Sequence, residues 1–184
     1  MFLISKASKN MENKKDLSNL FLIGFSGSGK SSVGKSLAKS LSYNFIDTDR
    51  IIEIQKGKTI GEIILDNGED EFRKTETKVL SEIDFSKNNI IATGGGIPTI
   101  DKNLSIMQDK GFIIWLEASV DSIFKRLNKS SEIRPLIGSN VKKENIINLF
   151  NSRLSVYNVA NIKINTNEKD INQIVMEIRK IYGK

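Results

Sequence analysis

LFLIGFSGSGKSSVGKSLAKSL, residues 20–41, places an apolar run, a glycine-rich turn and a helical repeat in immediate succession. The run LFLIGF (20–25) is short and almost wholly apolar, as a strand buried on both faces of a sheet must be. GFSGSGKSS (24–32) matches G-x-x-x-x-G-K-[ST], and KSSVGKSLAKSL (30–41) then sets apolar residues at helical spacing. Strand, turn and helix start together form a cradle for phosphate. Glycines let the backbone wrap, and successive N–H groups converge where the helix dipole favours negative charge. Gly27, Ser28, Gly29, Lys30, Ser31 and Ser32 are therefore expected to hold the phosphates of a nucleoside triphosphate. Lys30 would reach the β- and γ-phosphates, and the Ser31 hydroxyl would ligate Mg2+.

Working outward, the same alternation repeats. YNFID (43–47), NIIAT (89–93), FIIWLE (112–117) and NIKINT (161–166) read as further short strands. Helical spacing is expected over 30–41, 48–56, 59–66, 69–84, 99–109, 119–128, 142–158 and 170–182. Strand and helix in alternation predict a three-layer α/β/α domain around a five-stranded parallel sheet. NKSSEIRPLIGSN (128–140) lacks periodicity and is long for a connection, so it reads as a mobile lid or a disordered loop. Residues 1–18 turn polar after four residues and read as a flexible leader, with Met1 or Met11 as the start and 19–184 as one domain.

Composition narrows the chemistry. The chain has 184 residues, 39% hydrophobic and 27% charged, in the range of a globular protein. No apolar run is long enough to span a bilayer, so no membrane partner is expected. Zero cysteines remove disulfides and thiolate metal sites and suit the cytoplasm. Zero histidines leave proton chemistry to carboxylates, lysine or tyrosine. The net charge of +6 is scattered rather than clustered with aromatics, so no nucleic-acid partner is expected, and a small anionic ligand is served equally well by this balance. A GTPase would carry N-K-x-D late in the chain, whereas Asn13–Lys14–Lys15–Asp16 precedes the phosphate loop.

A phosphate donor site does not name the acceptor. YNFIDTD ends a strand on Asp47 and Asp49, where open α/β sheets bind their ligands. One carboxylate can support Mg2+ beside Ser31 and the other can take a proton from an incoming hydroxyl, or either can cap the helix that follows. In EFRKTETKVL (71–80), Arg73 and Glu76 stand three apart and can pair, with Phe72 as an apolar wall. With Arg153 in NSRLSVYNVA, two arginine forks suit a carboxylate. The triplet Gly94–Gly95–Gly96 at a strand end is either a hinge or the bare floor of the acceptor pocket.

GFSGSGKSS, DTD, FRKTE, ATGGG, RPLI and RLSVYNVA, in that order, resemble the shikimate kinases over residues 20–170. The resemblance implies a P-loop fold and ATP-dependent phosphorylation of shikimate. It gives Asp47 a role with Ser31 in supporting Mg2+, and Asp49 the role of base. It gives Arg73 and Arg153 the substrate carboxylate, and Gly94, Gly95 and Gly96 the ring hydroxyls, with Gly95 central. It puts Arg134 on the ATP phosphates with Lys30, and Arg126 on adenine. Ile64 stands where the family often has an aromatic, and 165–171 lacks a proline that often faces adenine. Thr166, Asn167 and Lys169 are then candidates for base contacts. A monomer is expected. The rivals are a kinase of another small acceptor, such as gluconate or a nucleoside monophosphate, and a non-catalytic ATP-binding module.

Overall fold

The computed structural model describes residues 19–129 and 142–183. The leader (1–18), Arg134 and nearly all of the expected lid lie outside the described residues.

Five strands, β1 (Asn19–Ile23), β2 (Asn44–Asp47), β3 (Asn89–Ala92), β4 (Phe112–Glu117) and β5 (Ile162–Asn165), form one sheet in the order β2-β3-β1-β4-β5. Every neighbouring pair is parallel. The helices are α1 (Lys30–Leu41), α2 (Thr48–Lys56), α3 (Ile60–Ser81), α4 (Asp101–Lys110), α5 (Val120–Asn128), α6 (Lys143–Tyr157) and α7 (Ile171–Tyr182). A 3-10 turn covers Ile97–Thr99. Among the described residues no helix is long and apolar enough to cross a membrane.

The apolar alternation of β1 explains the layers. Leu20 and Leu22 face one side, packed with Val33 and Leu37 of α1 and Ile174 and Ile178 of α7. Phe21 and Ile23 face the other, among Leu80, Met107, Ile123 and Ile146 from α3, α4, α5 and α6. Both faces are covered, which is why the strands read as continuous apolar runs. A smaller cluster of Ile52, Ile63, Phe72 and Val79 joins α2 to α3.

One expectation is met and one adjusted. The two helices expected over 59–66 and 69–84 are present as the two arms of α3, separated by a kink at Gly68, whose φ of 80° and ψ of 165° are not helical. Thr59 caps its start, accepting from Glu62 N while Glu62 answers the Thr59 N–H. The strand expected over 20–25 stops at Ile23, because Gly24 at φ 139° turns the chain into the phosphate loop.

At the N-terminal edge of the sheet, Asn19, Asn89 and Asn44 lie in register and bond to one another, Asn89 Nδ2 donating to Asn19 Oδ1 and Asn44 Nδ2 to Asn89 Oδ1. The opposite, C-terminal edge is left to the ligands, with β1 at the centre where connections depart to either side.

Candidate active site

The donor half is made mostly of backbone. Gly24, Gly27 and Gly29 have φ of 139°, 80° and 98°, a region in which other residues are strained. Gly29 is the N-cap of α1 and supplies no side-chain cap, and the first turn carries no acidic residue. The amides that open α1 are thus left to an anion. Lys30 Nζ donates to the Gly24 and Phe25 carbonyls at 2.8 and 3.0 Å, which keeps the ammonium at the loop. Ser31 Oγ donates to Asp47 Oδ2 at 2.6 Å, while Asp47 Oδ1 accepts from Arg50 N at 3.3 Å. Asp47 therefore both caps α2 and meets Ser31, one oxygen for each. The hydroxyl and carboxylate oxygens are hard donors that suit Mg2+.

Beside the loop an open cleft of about 880 Å3 is lined by Ser28, Gly29, Ser32, Lys35, Arg126 and Lys169, among others. Arg126 donates to Gly27 O at 3.1 Å and to Thr166 O at 2.9 Å, so the edges of its guanidinium tie the phosphate loop to the end of β5. Stacking on adenine would use a face of this guanidinium, not its bonded edges. The candidates for base contact in 165–171 are otherwise engaged. Thr166 is fully buried, with its hydroxyl donating to Glu117 O at 3.0 Å. Asn167 Oδ1 accepts from Ser119 N at the start of α5, and Lys169 pairs with Glu177 at 2.5 Å.

The acceptor half is made of side chains brought from α2, α3 and α6 to the glycine triplet after β3. None of the three glycines has positive φ, so backbone freedom does not explain them. Space does. A Cβ on Gly94 would stand 2.6 Å from both Asp49 Oδ1 and Glu76 Oε1, and one on Gly96 would run into the Arg73 guanidinium. A Cβ on Gly95 would make only ordinary contacts of 3.4–3.5 Å with Gly24 O, Ser26 N and Arg153. Gly94 and Gly96 therefore leave room for the protein's own carboxylates and cation. Gly95 lies between the phosphate loop and Arg153.

Arg73 is held from two sides, donating to Glu76 Oε2 at 2.6 Å and Glu69 Oε1 at 2.7 Å. This is no surface pair, for the side chains of Arg73 and Glu76 are only 12% and 1% exposed. Breaking a buried pair leaves a buried charge and costs several kcal/mol, on the order of 3–5. Burial pushes Glu76 up to about 7, and Asp49 adds to the push, while Arg73 and Arg153 pull it back. Phe72, expected as a pocket wall, is a core residue of the α2–α3 cluster with the Arg73 guanidinium 5.4 Å over its ring. Ile64 packs against that same cluster.

Arg153 is 7% exposed and lies over the Phe25 ring at 5.9 Å, beside Tyr157 one turn later on α6. The Tyr157 hydroxyl donates to Gly95 O at 2.8 Å. Thr48, between the two aspartates and fully buried, accepts from Gly94 N at 3.0 Å. Sequence reasoning assigned no role to Thr48, Glu69 or Tyr157. For Tyr157 the signal was its i, i+4 spacing from Arg153; for Glu69 it was the i, i+4 spacing to Arg73. For Thr48 there was none.

The family model for "Shikimate kinase" matches residues 26–182. The chain belongs to the shikimate kinase family. A shikimate kinase of Sulfurihydrogenibium sp. is 40% identical over 162 residues, covering 88% of this chain and 96% of that relative. One from Persephonella marina is 41% identical over 160 residues, covering 87% and 96%. The solved structure of the Acinetobacter baumannii shikimate kinase in complex with shikimate superposes with a TM-score of 0.83 at 32% identity, over 96% of this chain and 97% of that one. As a member of the shikimate kinase family the protein is an enzyme, an ATP-using phosphotransferase with a P-loop fold. Asp49, Arg73 and Arg153 border the glycine triplet, and Arg126 bonds to the phosphate loop.

Proposed function

We propose that this chain transfers the γ-phosphoryl group of ATP to the 3-hydroxyl of shikimate, giving 3-phosphoshikimate and ADP. The observation that carries the reading is the position of the glycine triplet. A Cβ would face the phosphate loop at Gly95, the carboxylate of Asp49 at Gly94 and the guanidinium of Arg73 at Gly96. An acceptor lying on this floor would meet a base, two arginines and the phosphate loop together, the positioning that phosphoryl transfer chiefly requires.

Asp49 would orient the reacting hydroxyl and accept its proton. Arg73 and Arg153 would fix the substrate carboxylate by paired hydrogen bonds. Gly27, Ser28, Gly29, Lys30, Ser31 and Ser32 would hold the ATP phosphates, Lys30 leaving its loop carbonyls to do so, and Arg126 would lie against adenine. Ser31 and Asp47 would hold Mg2+, which when bound supplies charge neutralisation at the phosphates. Arg134 and the lid 128–140 are assigned by resemblance to the phosphates and to exclusion of water. A cysteine-free chain using ATP suits the cytoplasm, and we expect the enzyme to act as a monomer.

A coupled ADP-release assay with shikimate, gluconate and AMP as separate acceptors tests the reading. Turnover is expected with shikimate and only background with the other two. Turnover on gluconate or AMP without turnover on shikimate would overturn it, as would ATP binding with no acceptor-dependent turnover at all.

A further inference from the structure

The glycine floor has its own hydrogen-bonding plan, and two buried hydroxyls complete it. Gly94 O accepts from Ile97 N at 3.1 Å, and Gly96 O accepts from Thr99 N at 3.0 Å and Thr99 Oγ1 at 2.7 Å. Gly95 O accepts from the Tyr157 hydroxyl at 2.8 Å, and Gly94 N donates to Thr48 Oγ1 at 3.0 Å. All three carbonyls and the first amide are thereby committed. In a planar trans peptide the N–H points opposite to the C=O. Turning Gly94 O toward Ile97 turns the Gly95 N–H away from it, and turning Gly95 O toward Tyr157 turns the Gly96 N–H away from α6.

We infer that the hydroxyls of Thr48 and Tyr157 are positioning residues, which hold the triplet so that the Gly95 and Gly96 amides are presented as donors to the acceptor substrate. Neither hydroxyl touches the substrate itself, since both residues are fully buried. Thr48 opens α2 between Asp47 and Asp49, and its hydroxyl also leans on Ala92 O at 3.4 Å. The same side chain therefore fixes the floor against the two aspartates. Tyr157 is held by Trp115, ring centroids 5.7 Å apart at 33°, so its hydroxyl is fixed from behind. Burial pushes that hydroxyl up to about 12 against the pull of Arg153, which hydrogen-bonds it, so it stays a donor to Gly95 O throughout the neutral range and braces Arg153 as well. Arg153 lies one turn earlier on α6, so a single helix carries both the carboxylate fork and the strut under the floor.

The inference rests on the acceptor assignment above and deepens it. Tyr157→Phe removes only the hydroxyl. Thr48→Val removes the hydroxyl and keeps the shape, and Thr48→Ser restores it. Each variant is assayed with shikimate varied at saturating ATP and with ATP varied at saturating shikimate, alongside its thermal midpoint. Tyr157→Phe and Thr48→Val are expected to raise the shikimate KM about three- to tenfold, the range that one buried hydrogen bond commands. The ATP KM should stay within about twofold, and Thr48→Ser should behave as the unaltered enzyme.

A shikimate KM unchanged in folded Tyr157→Phe would overturn the inference, as would an ATP KM that rises by the same factor. Thr48→Ser impaired as badly as Thr48→Val would show that the methyl, not the hydroxyl, matters, and would overturn the Thr48 half. Should Thr48→Val fail to fold, Tyr157→Phe decides alone. Arg73→Met is measured in parallel: if it too leaves the shikimate KM unchanged, the acceptor assignment itself fails. If Arg73→Met raises the KM and Tyr157→Phe does not, only the present inference falls.

Discussion

The donor and acceptor halves of the site meet at Gly95, yet they are built in opposite ways. The donor half is centred on nine consecutive residues, Gly24 to Ser32, whose working groups are backbone amides, one lysine and the Ser31 hydroxyl. The acceptor half draws Asp49 from α2, Arg73 and Glu76 from α3, Arg153 and Tyr157 from α6 and the triplet after β3, and its working groups are side chains. A contiguous loop holds its shape through local φ preferences and the start of one helix. A site assembled across more than a hundred residues holds its shape only through packing and through buried pairs such as Arg73–Glu76. The two halves should therefore fail differently when altered.

The sharpest separation comes from Asp49→Asn, which keeps the shape and removes the base. Turnover should fall about 10²–10⁴-fold while ATP titrates as before. Near-normal shikimate phosphorylation would remove the base assignment. Lys30→Met attacks the other half and should lower kcat about 10²–10³-fold whatever acceptor is offered, with equilibrium binding of shikimate alone retained.

Arg73→Met breaks the acceptor half without touching the loop. Loss of charge-assisted bonds should raise the shikimate KM about 10- to 100-fold at constant ATP KM. It also strands Glu76 in a buried place, so a lowered thermal midpoint is expected alongside.

The glycines sharpen the comparison further. A Cβ on Gly95 comes no nearer than 3.4 Å to any protein atom, so the thermal midpoint of Gly95→Ala should hold, while the methyl crowds the acceptor beside Arg153 and raises the shikimate KM about three- to tenfold. Gly94→Ala and Gly96→Ala must displace Asp49, Glu76 or Arg73 and should lose stability and activity together. Equal loss of shikimate and ATP affinity in Gly95→Ala would restore the hinge reading of the triplet.

The smallest effect is on the pH dependence of stability. Burial raises Glu76 from its ordinary 4.5 to about 7, so between these values the folded chain holds a proton that the unfolded chain has lost. That contribution to stability is complete below about pH 4.5 and is lost as pH rises through 7. Glu76→Gln, which cannot titrate, should flatten the fall of the denaturant midpoint between pH 5 and 7. An unchanged slope would show that the Arg73 pairing keeps Glu76 ionised throughout.

How much of this was legible in the sequence follows the same division. LFLIGFSGSGKSSVGKSLAKSL determined a strand, a turn and a helix start, and with them the phosphate loop, because each rests on residues within a few positions of one another. The repeated apolar runs determined a parallel sheet covered on both faces, since a strand with no polar face has nowhere else to go. The break in α3 was visible too, as two helical stretches on either side of Gly68. Tertiary structure alone decided why the triplet is glycine. The sequence offered a hinge or a ligand floor. Packing gave a different reason to two of the three, in that Asp49, Glu76 and Arg73 occupy the space where the Cβ atoms of Gly94 and Gly96 would stand. It also decided that Thr166 and Asn167 are committed to the scaffold, and that Thr48 and Tyr157 bond to the floor. Such contacts join residues 46 to 62 positions apart, and no local periodicity encodes a hydrogen bond of that reach.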